Sequence, residues 1–343
     1  MKSFVEYVSR SGLLLHAENL YTLLPRTIKR GRAFSPKSLV YIGNYSCNAR
    51  CVHCLYHGKT AHNKTREIMR KRELQLLNVY QIDQMLREAR NMGVIAFSLH
   101  GGEPTLFDYF AYTMRTAKQL GMHTAFFTNG TIDVDDLEWE NIDEIKFSVE
   151  GLRQQHADIT GIDSLNTVMY NISRVPVSTM LSVNTTIQSL NVDVIADMAP
   201  MLYALGVREW TIQLPFLTES TDSSVTAVNI PKFIEQINIL RYRHYSMNIT
   251  LPSKAAIKAY PHYKGMRWCN GLYTRMYINP YGDMVPCVSM SPDERLTFGN
   301  IKDTSLNTLW NGHKFREYRN NMNCSELPDD CKHCCMLDRG QHV

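Results

Sequence analysis

The stretch SCNARCVHC, Ser46 to Cys54, places Cys47, Cys51 and Cys54 at the spacing C-x3-C-x2-C. Thiolate is a soft ligand, suited to zinc or to iron–sulfur. A structural zinc site wants four closed ligands. No cysteine stands near enough in sequence to be an obvious local fourth, though His53 and His57 are candidates. A cubic iron–sulfur cluster has four irons, so three protein thiolates leave one iron open to a small ligand. On that reading the missing fourth ligand is the working position. A second set of thiols lies in the last third of the chain. Cys269, Gly282 and Cys287 read C-x12-G-x4-C, followed by Cys324, Cys331, Cys334 and Cys335. From the residues alone, zinc and a cluster both remain open there, because C-x2-C is a common zinc half-site.

Nine cysteines in 343 residues is an odd count in a chain too long for a small disulfide-stapled domain. The start, MKSFVEYVSRSG, has no signal-peptide pattern, and the apolar run Leu13 to Leu15 is too short to span a bilayer. These features point to a cytoplasmic protein with reduced thiols, no transmembrane segment, and clustered cysteines used for metal or catalysis. A net charge of +4 with interleaved acids gives no footprint for nucleic acid.

Elements that could position these thiols follow a rhythm. LVYIGN reads as a buried strand directly before the first cysteines. Residues 78–92 read as a helix with Ile82, Met85, Leu86 and Ala89 in one stripe and Gly93 as its stop. VIAFSL, HTAFFTN, IDEIKFSV, TMLSVNTTI and VREWTIQL read as further strands. Between them YFAYTMRTAKQLG, DVDDLEWE, 164–174 and 193–205 read as helices. A repeat of roughly 25–30 residues is that of strand-plus-helix units in a parallel sheet. Six such units predict an α/β fold, a partial (β/α)6 TIM-like barrel. In barrels the chemistry sits at the C-terminal strand ends. Here the cysteines follow the first strand, HGGEPT the second, TNGT the third and VEG the fourth. The expected organisation is an N-terminal helical extension (1–38), the barrel (39–225), a helical linker (226–265) and a small cysteine-rich C-terminal domain (266–343). In the last of these, NPYGD is the turn of a hairpin returning Cys287 to Cys269. The basic run 57–73 reads as a solvated loop, or as a clamp for an anionic substrate.

Taken in order on successive strand ends, these pieces resemble the radical SAM superfamily. GGEP, Gly101–Pro104, matches that family's motif for the methionine end of S-adenosylmethionine. TNGT, Thr128–Thr131, and KFSVEG, Lys146–Gly151, match its third and fourth strand ends. The resemblance implies that Cys47, Cys51 and Cys54 hold a [4Fe-4S] cluster whose open iron chelates S-adenosyl-L-methionine. It also implies cofactor-binding roles for His53, Gly101, Gly102, Glu103, Pro104, Asn129, Ser148 and Glu150. His53 would lie near the adenine, the glycines would admit backbone to the ligand, and Glu103 would accept from the amine. Asn129 and Ser148 would reach ribose hydroxyls. Glu150 stands where many relatives carry Asp.

The tail, with FGNIKDTSLNTLW after the hairpin, resembles the SPASM/Twitch extension, which holds auxiliary iron–sulfur clusters. A full SPASM tail has more cysteines after its C-x2-C. Six cysteines cannot furnish two complete sets of four, so the resemblance implies one auxiliary [4Fe-4S] cluster, on Cys269, Cys287, Cys331 and Cys334. Cys324 and Cys335 are left as candidate hydrogen-atom donors. The expected function is radical hydrogen abstraction from a small polar molecule of sugar or aminoglycoside type, ending in oxidation or epimerisation. A reductase or flavodoxin-type protein would supply electrons. The alternative is a maturase that epimerises or crosslinks a ribosomally made peptide. A non-catalytic zinc or electron-transfer protein is the reading from a different class.

Overall fold

The computed structural model describes residues 33–58, 70–72, 75–216, 227–243, 245–260, 269, 271–292, 294–321 and 331. The expected N-terminal extension falls almost wholly outside the described residues, as do most of the basic run 57–73 and Cys324, Cys334 and Cys335.

The strands run β1 (Ser38–Asn44), β2 (Ala96–Gly101), β3 (His123–Thr128), β4 (Glu144–Ser148), β5 (Met180–Thr186), β6 (Glu209–Gln213), β7 (Asn248–Thr250), β8 (Arg275–Ile278) and β9 (Met284–Val285). Among the described residues they form one sheet in the order β7-β6-β5-β4-β3-β2-β1-β8-β9. All neighbours are parallel except the β8–β9 hairpin. β7 and β9 are its open edges, so the barrel is partial. All six expected strands are present, five of them followed by a helix and β3 by a 3-10 turn only, and the sheet extends past them at both ends. β7 adds beyond β6 within the segment read as a helical linker. β8 pairs with β1 from Ser38↔Arg275 to Tyr41↔Ile278, so the strand after Cys269 continues the barrel sheet.

The connecting helices are α1 (Val79–Asn91), α2 (Phe110–Gln119), α3 (Arg153–Thr160), α4 (Leu165–Arg174) and α5 (Ile195–Ala204). Then follow α6 (Ile230–Arg243), α7 (Lys254–Ala259), α8 (Gly271–Thr274), α9 (Leu306–Asn311) and α10 (His313–Asn321). α1 begins with a capping box in which the Asn78 side chain accepts from Gln81 N and the Gln81 side chain accepts from Asn78 N, each at 3.0 Å. Its buried stripe is Ile82, Met85, Leu86 and Ala89, each large side chain contributing about 1.5–3 kcal/mol by leaving water. The helix expected over Asp133–Glu140 is a correction: only a short 3-10 turn forms, Trp139–Asn141. The Asp133 carboxylate accepts from Asp135 N at 2.9 Å, giving the backbone a local turn in place of helix.

β2, β3 and β4 alternate buried and half-buried residues. Phe97, Leu99, Phe126, Ile145 and Phe147 face the helices and join the main core. Ser98, His100, Phe127, Lys146 and Ser148 face the barrel interior, as the two-residue period requires. β1 is buried almost throughout because its inner face is also covered: Val40 packs with Tyr277 and Val285, and Ile42 with Tyr45, Tyr56 and Tyr281. Trp310 is buried and donates to the Phe34 carbonyl at 2.8 Å.

Candidate functional site

The loop after β1 is held to the end of β2 by two backbone hydrogen bonds, with one side-chain bond beside them from Asn44 Nδ2 to Glu103 O at 3.3 Å. Gly102 N donates to Asn44 O at 3.0 Å and Glu103 N to Ser46 O at 2.7 Å. A Cβ at Gly101 would stand 2.6 Å from Asn44 O, and one at Gly102 would stand 2.2 Å from Ser46 O. The two glycines therefore admit the cysteine loop itself, a different partner from the ligand expected from the sequence. Gly58, which the sequence reading passed over, closes the same loop: its amide donates to Cys54 O at 2.9 Å. A Cβ there would meet Cys51 O at 2.4 Å and Cys54 N at 2.7 Å.

Glu103 is fully buried and turned inward. Its carboxylate accepts from Thr105 Oγ1 (2.8 Å), Thr105 N (3.2 Å), Thr128 Oγ1 (2.9 Å) and Asn129 N (2.8 Å). Burial raises its pKa, and these donors oppose the rise. It ties β2 to β3 and caps the turn that Pro104 opens. Asn129 reaches the other way. Its Nδ2 donates to Asn48 Oδ1 at 2.8 Å and lies 3.8 Å from Cys47 Sγ. Ser148 sits half-buried at the end of β4, opposite Asn184.

Around the thiols the electrostatics favour a cationic guest. Burial raises the Cys51 pKa well above its usual value, reinforced by Cys54, Glu150 and Cys47. Burial raises Cys47 too, opposed by the Ala49 amide. Thiolates pushed together in a buried loop are relieved by the metal that binds them. Neither nearby histidine stands ready as a fourth ligand. His57 Nε2 lies 2.5 Å from Tyr45 O, and His53 Nδ1 accepts from Gln188 Nε2 at 2.7 Å. Among the described residues no three His, Cys, Asp or Glu side chains are placed to hold a single metal ion. This donor set, three thiols whose charged forms repel one another and with no fourth ligand among the described residues, suits a cluster with one open iron better than zinc.

His53 and Glu150 close the site on the β4–β5 side. Burial pushes His53 down to about 4 and Glu150 up to about 8. Glu150 accepts from Thr186 N at 2.8 Å, and its carbonyl accepts from Asn191 Nδ2 at 2.8 Å. Gln188 is buried beside them, and its Oε1 has no hydrogen-bond partner among the described residues. Asn44 Oδ1 at the end of β1 is in the same state. Buried acceptors left open in this way are where a bound polar group fits. Extending the strand-end rule to β5 would have found Gln188, two residues past Thr186.

At the C-terminal site the described thiols are Cys269, Cys287 and Cys331. Burial pushes Cys287 up to about 12, with Cys331 and Cys269 adding to the rise. Burial also raises Cys269, opposed by the Leu272 and Gly271 amides. The hairpin expected from NPYGD forms, and the turn residue Gly282 has φ of 92°. One residue, Tyr56, joins the two sites through its backbone amide and its hydroxyl. Tyr56 N donates to Cys54 Sγ at 3.4 Å, while Tyr56 Oη donates to Val288 O at 3.0 Å, one residue past Cys287.

The cysteine loop, the strand-end glycines and a later thiol site on one mostly parallel sheet are the arrangement expected of an iron–sulfur protein. Family comparison names the class: the Radical SAM superfamily model matches residues 41–187, and the SPASM iron–sulfur cluster-binding domain matches residues 269–335. The chain belongs to the radical SAM superfamily and carries a SPASM domain, which together bring a SAM-binding [4Fe-4S] cluster and an auxiliary cluster. It is 24% identical over 258 residues to a probable GTP 3',8-cyclase of Saccharolobus islandicus, covering 71% of this chain and 79% of that one. It is 23% identical over 282 residues to the PqqA peptide cyclase of Xanthomonas campestris pv. campestris, covering 73% and 69%. Among solved structures, Streptococcus suis SuiB bound to precursor peptide SuiA superposes with a TM-score of 0.67 at 16% identity, covering 91% of this chain and 72% of that one. anSMEcpe with bound AdoMet superposes at 0.60 with 15% identity, covering 82% of each. Among the described residues no helix is long and apolar enough to cross a membrane.

Proposed function

We propose that this radical SAM enzyme modifies a peptide, forming a bond or a new stereocentre within it. The observation that carries this is the likeness to a peptide cyclase over 282 residues, a length that takes in more than the barrel alone. It favours the maturase reading over the sugar or aminoglycoside reading. The nucleotide cyclases are as similar, but a triphosphate calls for several converging cations. Among the described interior residues two cations, Arg275 and Lys146, act on His100, and Lys146 also lies 3.6 Å from Glu144.

In this reading Cys47, Cys51 and Cys54 hold the SAM-binding cluster, and Cys269, Cys287, Cys331 and Cys334 hold the auxiliary one. When bound, the first supplies the electron that cleaves S-adenosylmethionine to a hydrogen-abstracting radical, and the second accepts the electron left on the substrate. The chain's own part is placement. Gly101, Gly102 and Gly58 let the cysteine loop close on β2, and Asn129 anchors it to β3. Gln188 Oε1 supplies an acceptor beside His53, itself kept neutral, for a donor group of the nucleoside. His100 lines the interior, hydrogen-bonded to Ser98 Oγ at 2.9 Å and held near 3 by burial, so it meets a substrate as a neutral ring. Electrons would come from a flavodoxin-type reductase.

The test is anaerobic incubation of the reconstituted enzyme with S-adenosylmethionine, a reductant, and the short peptides encoded beside its gene. A peptide that loses a hydrogen pair, or gains one solvent deuterium at a stereocentre, supports the reading. Deuterium passing into 5'-deoxyadenosine from a labelled sugar, and from no peptide, would refute it.

A further inference from the structure

The auxiliary site contains a hydroxyl that neither the cysteine pattern nor the proposed reaction uses. Tyr318, on α10, places its Oη 3.7 Å from Cys331 Sγ and 3.7 Å from Met290 Sδ. Its ring packs against Phe298, with centroids 5.2 Å apart, and Phe298 is stacked on Phe315 at 4.2 Å. The next residue, Arg319, is buried and donates to Leu272 O and Trp310 O, each at 2.8 Å. These contacts fix α10, and with it the direction of the hydroxyl. A tyrosine hydroxyl has one proton to give. When Cys331 is a cluster thiolate it carries no hydrogen and a full negative charge. It is then a far better acceptor than the Met290 thioether, so the proton goes to Cys331.

We infer that Tyr318 is a positioning residue that sets the reduction potential of the auxiliary cluster by donating a hydrogen bond to the Cys331 thiolate. Reduction adds negative charge to a cluster and its ligands. A donor aimed at a ligand sulfur stabilises the reduced form more than the oxidised one, and the potential rises. Inside the protein this effect is not diluted by water, because Cys331 is 7% exposed. A higher potential makes the cluster a readier acceptor of an electron from a substrate radical. The inference rests on the auxiliary cluster and Cys331 as its ligand, not on the substrate being a peptide.

The test is an EPR-monitored redox titration of the anaerobically reconstituted full-length chain. In Tyr318→Phe, with iron content equal to the wild type, the auxiliary midpoint should shift to more negative potential. The SAM-binding cluster, which keeps its own surroundings, should titrate as in the wild type. An unchanged auxiliary midpoint at full iron content would overturn the inference. If Tyr318→Phe loses iron, site-specific 3,5-difluorotyrosine at 318 decides. This keeps the shape and the hydrogen bond but makes a stronger donor, so the midpoint should rise. A midpoint that stays put or falls overturns the inference.

Discussion

The two thiol sites are built in opposite ways. Cys47, Cys51 and Cys54 lie on one short loop whose path is set chiefly by backbone contacts, with Asn48 and Asn129 pinning it to β3 and Gly58, Gly101 and Gly102 at points where a side chain has no room. Cys269, Cys287 and Cys331 come from three separated stretches and are assembled by the β8–β9 hairpin and α10. There aromatic packing and side-chain hydrogen bonds, from Tyr318 and Arg319 among others, do what backbone does at the first site. A site made by backbone tolerates little change in glycine. A site made by packing is adjustable through its neighbours. That suits a first cluster that holds a ligand in one pose and a second that, in the proposed function, takes up an electron.

Removing one ligand from each site should separate them most sharply. With both clusters cubic the chain carries about eight irons. Cys51→Ala should abolish S-adenosylmethionine cleavage and leave about four. Cys287→Ala should lose a similar share of iron yet still cleave S-adenosylmethionine without substrate. Iron analysis and 5'-deoxyadenosine chromatography check both. If Cys287→Ala also stops cleavage, the two sites are not independent.

The glycine contrast comes next. Gly58→Ala and Gly102→Ala press a methyl into backbone and should cost roughly 1–3 kcal/mol or more, with poor reconstitution of the first cluster. Gly206→Ala is the control: its φ is 84°, but a Cβ there meets nothing within 4 Å. It should cost about 1 kcal/mol of backbone strain and leave iron content whole. Equal reconstitution of all three variants would break the argument that backbone builds the first site.

Much of this was legible in the sequence, for reasons that differ by site. The strand ends were readable because β1 to β6 are short apolar runs punctuated by glycine and turn residues, and α1 carries its stripe and cap locally. The first thiols were readable because a contiguous loop keeps its spacing. The pairing of β8 with β1 was not, since it joins residues far apart in the chain and depends on Val40 and Tyr277 meeting. The inward turn of Glu103 was hidden for a similar reason: its four donors come from Thr105, Thr128 and Asn129, and only folding brings the last two to it. Tyr56 and Tyr318 gave no local signal at all.

Burial of Glu150 predicts a pH effect confined to the first site. Its carboxyl rises from the ordinary 4.5 to about 8 in the folded chain. The folded state therefore keeps a proton that the unfolded chain releases between those values. This contribution to stability is fully present below about 4.5 and is lost as pH rises towards 8. Denaturant unfolding of the iron-free protein across that window should show the decline in the wild type and a flatter profile in Glu150→Gln. A wild type that gains stability over the window from this residue would contradict the assignment. The smallest effect belongs to the link between the sites. Tyr56→Phe keeps the ring but loses the bonds to Val288 O and Ser291 Oγ, and should cost about 1 kcal/mol in thermal unfolding with both clusters retained.

The most direct test of the account is to add S-adenosylmethionine to the reduced, anaerobically prepared Cys287→Ala protein, which has only the first cluster to show. EPR should report a [4Fe-4S] signal that shifts when S-adenosylmethionine is added, and 5'-deoxyadenosine should accumulate. A colourless protein holding zinc at Cys47, Cys51 and Cys54, or a cluster signal indifferent to S-adenosylmethionine, would contradict it.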